Sequence, residues 1–158
     1  MITMYRSTHS VALIGRILLS CIILVSAYAK ETEWNGTLQM MQAKGLPFAA
    51  PLLVVAVLIE LLGGLSVLTG LFARAGAWVL FLYLIPVSIV FHSFWDVGAA
   101  QQNMQLVNFL KNLSIMGGLL LLAANGPGRF SIGKERHFYD EVPVDASRGR
   151  SETAGTRV

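Results

Sequence analysis

Apolar residues in this chain come in long unbroken blocks instead of periodic stripes. The blocks cover roughly 11–29, 51–72, 75–94 and 106–124, each close to the ~20 residues that cross hydrocarbon as a helix. None alternates with the period of two that a barrel strand requires. Helices are then the remaining way to satisfy backbone groups in lipid. The expected fold is all-α: a polytopic membrane protein, a four-transmembrane-helix bundle spanning residues 1–132 as one domain. Only a few residues around Arg74 separate the second and third blocks, which demands a tight antiparallel hairpin.

Between the first two blocks lies "KETEWNGTLQMMQAKGLPFAAP". Thr37 as N-cap, Gly45 just past the end and Pro47 as a stop predict a short helix over 38–44. Trp34 and Phe48 suit anchors at the membrane surface. Gly126, Pro127 and Gly128 end the last block. The tail 133–158 is charged and poor in large apolar residues, and is expected to be disordered on the cytoplasmic side.

Composition agrees with the blocks. The chain has 158 residues, 54% hydrophobic and 13% charged, against about a quarter charged in soluble domains. Its net charge of +3 does not point to nucleic acid, because the basic residues flank apolar blocks, where membrane orientation accounts for them. Arg6, Arg74, Arg129, Lys134 and Arg136 fall on one side of a four-span arrangement, with Lys30 and Lys44 on the other. The positive-inside rule puts both termini in the cytoplasm. A single cysteine, Cys21, rules out an internal disulfide or dithiol chemistry. His92 is the one histidine within a block, which excludes haem held by two membrane histidines of this chain. No metal site is expected.

"VSAYAK" at the end of the first block leaves a choice. Ala27-Tyr28-Ala29 is a small-x-small triplet of the kind a signal peptidase cuts, and a charged leader and apolar stretch precede it. Arg16, however, stands only about ten residues before that triplet, where an uncharged core should begin. Cleavage after Ala29 and retention as a first span both remain open on residues alone.

Ionisable groups are costly at membrane depth and usually point inward. At ~1.5 Å per residue, Glu60 lies roughly 13 Å below the outer face, Lys111 roughly 8 Å below it, and Arg16 about as far above the inner face. A glutamate flanked in depth by two cations, Arg16 and Lys111, forms a self-consistent polar core. Glu60 shares a helical face with Gly63, Gly64 and Gly70, a small-residue surface suited to close packing. Lys111 shares a face with Asn108, Ile115 and Gly118, beside Asn112, and Gly117 and Gly118 are expected to serve helix packing; His92 lines up with Ser88 and Asp96. The plainer reading is that Arg16 and Lys111 snorkel to the interface and that His92 bonds locally. Glu60 is too short to reach water, so it is paired, protonated or beside a wet cavity.

These residues carry a resemblance. The chain resembles the DoxX family of small four-helix bacterial membrane proteins, most closely its YphA-like inner-membrane branch. The matching pieces are Arg16 and Lys30, "KGLPF", "ELLGGLSVLTGLFAR", "FHSFWD" and "NFLKNLSIMGGLLLLAANGPGRFSI", across nearly all of residues 11–132. Gly133 stands where relatives often have an acidic residue, and the tail is longer. The resemblance implies a bacterial inner-membrane location and a first helix that is kept. It also implies a lean toward redox chemistry, since some members are similar to the membrane subunit of thiosulfate:quinone oxidoreductase.

The functional expectation is a redox-associated or scaffold subunit of a membrane complex, with a buried Arg/Glu/Lys core and not catalytic alone. The alternative is a quinone-binding subunit of a membrane oxidoreductase, with Glu60, His92, Lys111 and Asn112 around the headgroup. A small-solute or ion transporter ranks lower, because one four-helix unit lacks an inverted repeat. No intrinsic cofactor is expected, with quinone as the possible ligand. The expected partners are the lipid bilayer and either a redox protein or a second copy of the chain.

Overall fold

The computed structural model describes residues 2–132, with side chains from Ser10 onward; the expected disordered tail lies outside the described residues. The chain forms α1 (Ile2–Thr32), α2 (Trp34–Ala43), α3 (Ala49–Thr69), α4 (Ala73–Phe91), a 3-10 turn (Phe94–Asp96) and α5 (Ala99–Asn125). Among the described residues four helices, α1, α3, α4 and α5, are long and apolar enough to cross a membrane.

The side-chain distribution fits a lipid solvent. On α3 the buried positions are Ala49, Leu53, Glu60, Gly63, Gly64 and Val67, while Leu58, Leu61, Leu62 and Leu65 face outward. Elsewhere Leu18 and Leu121 are each 67% exposed. In water such a surface would be one large apolar patch. In hydrocarbon the outward leucines cost nothing, and small inward residues let helices approach.

Helix ends moved relative to the apolar blocks for a physical reason. α5 begins seven residues before the block at 106, at Ala99, because "AAQQNMQ" is polar yet has few poor helix formers. A hydropathy count sees only the lipid-facing part of a helix. α2 starts at Trp34, so Thr37 lies inside it, and the N-cap is Glu33 without a side-chain cap bond. Gly45 does take positive φ (73°) just past Lys44. The hairpin is tight: Gly70, Leu71 and Phe72 separate α3 from α4.

α3 packs between α1 and α4, and α4 packs between α3 and α5. The apolar core gathers Ile23, Val67, Leu80, Leu84, Met116 and Leu119 from all four spans. A smaller cluster of Met41, Ala49 and Leu53 seats α2 on the start of α3, with Trp34 and Leu38 against it. By contrast α1 and α5 meet sparsely, one close approach being Leu19 over Gly118, where an added Cβ would come within 2.9 Å.

The end of α3 shows how complete the backbone accounting is. Its last carbonyls have no helical partner. Arg16, 3% exposed on α1, donates from Nε to Val67 O (3.0 Å) and from Nη2 to Leu68 O (2.7 Å). The Gly70 N–H reaches Ser66 O and the Ile132 N–H reaches Thr69 O. Arg16 Nη1 then donates to Pro127 O (2.7 Å) and Phe130 O (2.8 Å), beyond α5. One guanidinium thus ties α1, the C-terminus of α3 and the segment after α5, beside the negative end of the α3 dipole.

Gly70 sits at φ +79°, and a Cβ there would collide with Ser131 and approach Arg16 Cζ at 3.2 Å. Gly63 and Gly64 likewise face Leu80 and Leu24 at 2.7 and 2.8 Å. Gly117 differs: a Cβ there meets nothing within 4 Å, so it belongs to the outward face of α5 and not to a helix contact. Gly70→Ala should therefore lower stability by about 1–3 kcal/mol. Gly117→Ala should leave it unchanged or raise it, and thermal melts of both variants in detergent check the contrast.

Candidate functional site

Glu60 lies near the middle of α3, roughly 16 Å from Ala49 and roughly 14 Å from Thr69 along the axis. It is 4% exposed, and its partners all come from the neighbouring helices. Lys30 of α1 donates to Oε1 at 2.9 Å and to Oε2 at 3.0 Å. Ser26 Oγ donates to Oε1 at 3.3 Å and accepts from Lys30 Nζ at 2.7 Å. From α4, Tyr83 Oη donates to Oε1 at 2.9 Å. In every contact the carboxyl oxygens of Glu60 accept.

The pairing differs from the expected one. Neither Arg16 nor Lys111 bonds Glu60 among the described residues; Lys30 does. α1 and α3 run antiparallel, so Arg16 meets Val67 and Leu68, about two turns along α3 from Glu60. Lys30, read in the sequence as a helix-end residue, extends inward from a turn farther out and is only 22% exposed at its side chain. One signal was available: positions 16, 20, 23, 27 and 30 follow one another at helical three- and four-residue steps. Arg16, Ser20, Ile23 and Ala27 are all buried, so Lys30 continues their face. Tyr83 carried no comparable cue, because an aromatic residue in an apolar block reads as packing.

Beside the ion pair lies a cavity of about 220 Å³. Glu60, Tyr83, His92, Lys111 and Asn112 line it together with Ser26 and Asn108, and Ile22, Ile23, Leu80, Leu84 and Ile115 complete the wall. Of the five polar residues singled out in the sequence, the structure brings Glu60, His92, Lys111 and Asn112 to this cavity and keeps Arg16 away from it. His92 caps α4, with Nδ1 3.0 Å from Gln105 Oε1. A ring protonated on Nδ1 would donate to that oxygen. Asn112 Nδ2 donates to Ser88 Oγ (3.1 Å), linking α5 to α4. Lys111 has a long contact to Asn108 Oδ1 (3.5 Å).

The α4–α5 connection keeps this end in place. Phe94 and Trp95 of the 3-10 turn both meet Phe109 of α5 edge-on, at centroid separations of 5.5 and 6.0 Å. This aromatic cluster holds the turn that follows His92.

The model of the family described as DoxX matches residues 11–93. The chain belongs to the DoxX family. The matched stretch carries Arg16, Ser26, Lys30, Glu60, Tyr83 and His92, while Asn108, Lys111 and Asn112 lie beyond it. The chain is 31% identical over 122 residues to inner membrane protein YphA of Escherichia coli (strain K12), covering 77% of this chain and 87% of that protein. It is 37% identical over 123 residues to inner membrane protein YqjF of the same organism, covering 77% and 88%. A shorter similarity, 36% over 75 residues, reaches a Surfeit locus protein 4 homolog of Schizosaccharomyces pombe (strain 972 / ATCC 24843), covering 46% of this chain and 25% of that protein. No solved structure matches the chain. This DoxX-family chain is a multi-pass protein of the inner membrane.

Removing one member of the ion pair strands the other in a low-dielectric interior. Lys30→Met should cost about 3–5 kcal/mol of stability. Adding Glu60→Gln to that variant should recover much of the loss, because a neutral amide can stay bonded to Ser26 and Tyr83. A double-mutant cycle on thermal unfolding in detergent measures the coupling.

Proposed function

We propose that this DoxX-family protein is a redox-associated subunit of a membrane complex, and that its cavity takes a quinone headgroup from the bilayer. The observation that carries the reading is the cavity itself: polar groups from all four spans converge beside Glu60 at lipid depth. Its size suits a substituted six-membered ring. Its chemistry suits one too. Lys111 has donor capacity left for a carbonyl oxygen, and Asn108 and Asn112 offer amides. Ile23, Leu84 and Ile115 offer an apolar wall for the ring.

A bound quinone would supply two-electron, two-proton chemistry, with electrons from a partner protein. In this reading the chain's residues bind and orient the ring, with the His92 imidazole at the cavity edge. Both termini face the cytoplasm in this reading, which places the cavity nearer the outer face. It also keeps α1 as a span, since both Arg16 and Lys30 are used within the bundle; the intact mass of the purified protein checks that no cut follows Ala29.

One observation favours a second reading, a non-catalytic scaffold. The Glu60 carboxylate is already satisfied by Lys30, Ser26 and Tyr83, so the bundle is locked without any ligand. A cavity-filling change separates the two. Ile115→Trp should fold and melt near the wild-type temperature, yet lose saturable binding of decylubiquinone in nanodiscs. If wild type binds no quinone, and Glu60→Gln lowers abundance in step with every phenotype, the scaffold reading stands instead.

A further inference from the structure

The ionisable groups at lipid depth do not balance. Arg16 has the carbonyl end of α3 and the Pro127 and Phe130 carbonyls as counter-dipoles. Lys30 and Glu60 neutralise one another. Lys111 is left with one long contact to the neutral Asn108. No carboxylate is within ion-pair distance of it among the described residues. His92 adds no negative charge, and Glu60 is already saturated. By formal charge the cavity and the ion pair beside it leave one cation, Lys111, without a carboxylate partner among the described residues.

The place where the cavity opens says how a counter-charge arrives. Ile22 of α1 and Lys111 of α5 both line the cavity, and both are also exposed at the outside of the bundle. They lie on α1 and α5, neighbouring spans that meet sparsely, and the Leu19–Gly118 approach closes the seam on the side toward Arg16. The wall at the seam, Ile22 and Ile115, is apolar. That wall suits a ligand that carries a hydrocarbon chain.

The structure assigns to this cavity a lipid-borne monoanion: an amphiphile whose carboxylate lies against Lys111 and whose chain leaves between α1 and α5. This assignment rests on the reading of the cavity as a ligand site. It names the charge of the occupant, which a neutral quinone would leave unmatched. A single planar carboxylate supplies the one negative charge needed. Its two oxygens would accept from the Lys111 ammonium and from the Asn108 or Asn112 amide, which are the donors present.

Native mass spectrometry of the full-length protein in an uncharged detergent tests the assignment, with laurate, dodecanol and decylubiquinone as probes. Wild type should bind one laurate per chain at least tenfold tighter than dodecanol. Lys111→Arg should keep that preference and Lys111→Gln should erase it, with thermal melts showing both variants folded. The laurate–dodecanol comparison on wild type stands even if Lys111→Gln does not fold. Equal binding of laurate and dodecanol, or equal laurate binding by wild type and a folded Lys111→Gln, would overturn the anion assignment. Decylubiquinone binding that Ile115→Trp blocks would then still uphold the cavity as a quinone site. Failure of all three probes to bind would overturn both.

Discussion

Glu60 constrains the rest of the structure because a carboxylate in mid-bilayer has no water to turn to. Its neutralisation recruits one side chain after another: Lys30 and Ser26 from α1, and Tyr83 from α4. These contacts fix the depth at which α1 and α4 lie against α3, since a slip of one turn would leave the charge unmatched. Lipid offers no hydrophobic reward for bringing helices together. Polar ties of this kind, with small residues such as Gly63 and Gly64 beneath them, therefore carry much of the specificity of the bundle.

Arg16 performs a similar task at the opposite end by different means. Among the described residues it has no acidic partner; it satisfies four backbone carbonyls at the end of α3 and beyond α5. Its planar fork can serve several acceptors at once, which a lysine ammonium does less well. Arg16 and Lys30 thus pin one helix at two depths. Each uses the chemistry its position offers: the carbonyl-rich end of a helix for Arg16 and a buried anion for Lys30. With α1 and α3 held together in this way, α1 does not need to close tightly on α5, and the cavity occupies the space that results.

Family membership and architecture converge on the inner membrane. The matched stretch holds the ion pair and Arg16, and the last helix adds Lys111 and Asn112 to the cavity. The residues that the family model matches include Arg16 and the Lys30–Glu60 pair, while the side of the cavity formed by α5 lies beyond them.

Hydropathy alone determined that four helices span the membrane, that α3 and α4 form a tight hairpin, and that Glu60 cannot face lipid alone. Those are one-dimensional facts: block length, the brevity of the turn at Arg74, and the cost of a charge at a known depth. Depth arithmetic was less able to choose partners. It favoured Arg16 and Lys111 as neighbours of Glu60, whereas the antiparallel register of α1 on α3 decided for Lys30, whose flexible stem reaches inward by a turn. Gly117 shows the same limit, because adjacent glycines point about 100° apart around a helix and only packing tells which one faces a neighbour. Tyr83 entered the site because α4 presents that face to Glu60, and which face a helix presents is settled by all four helices together.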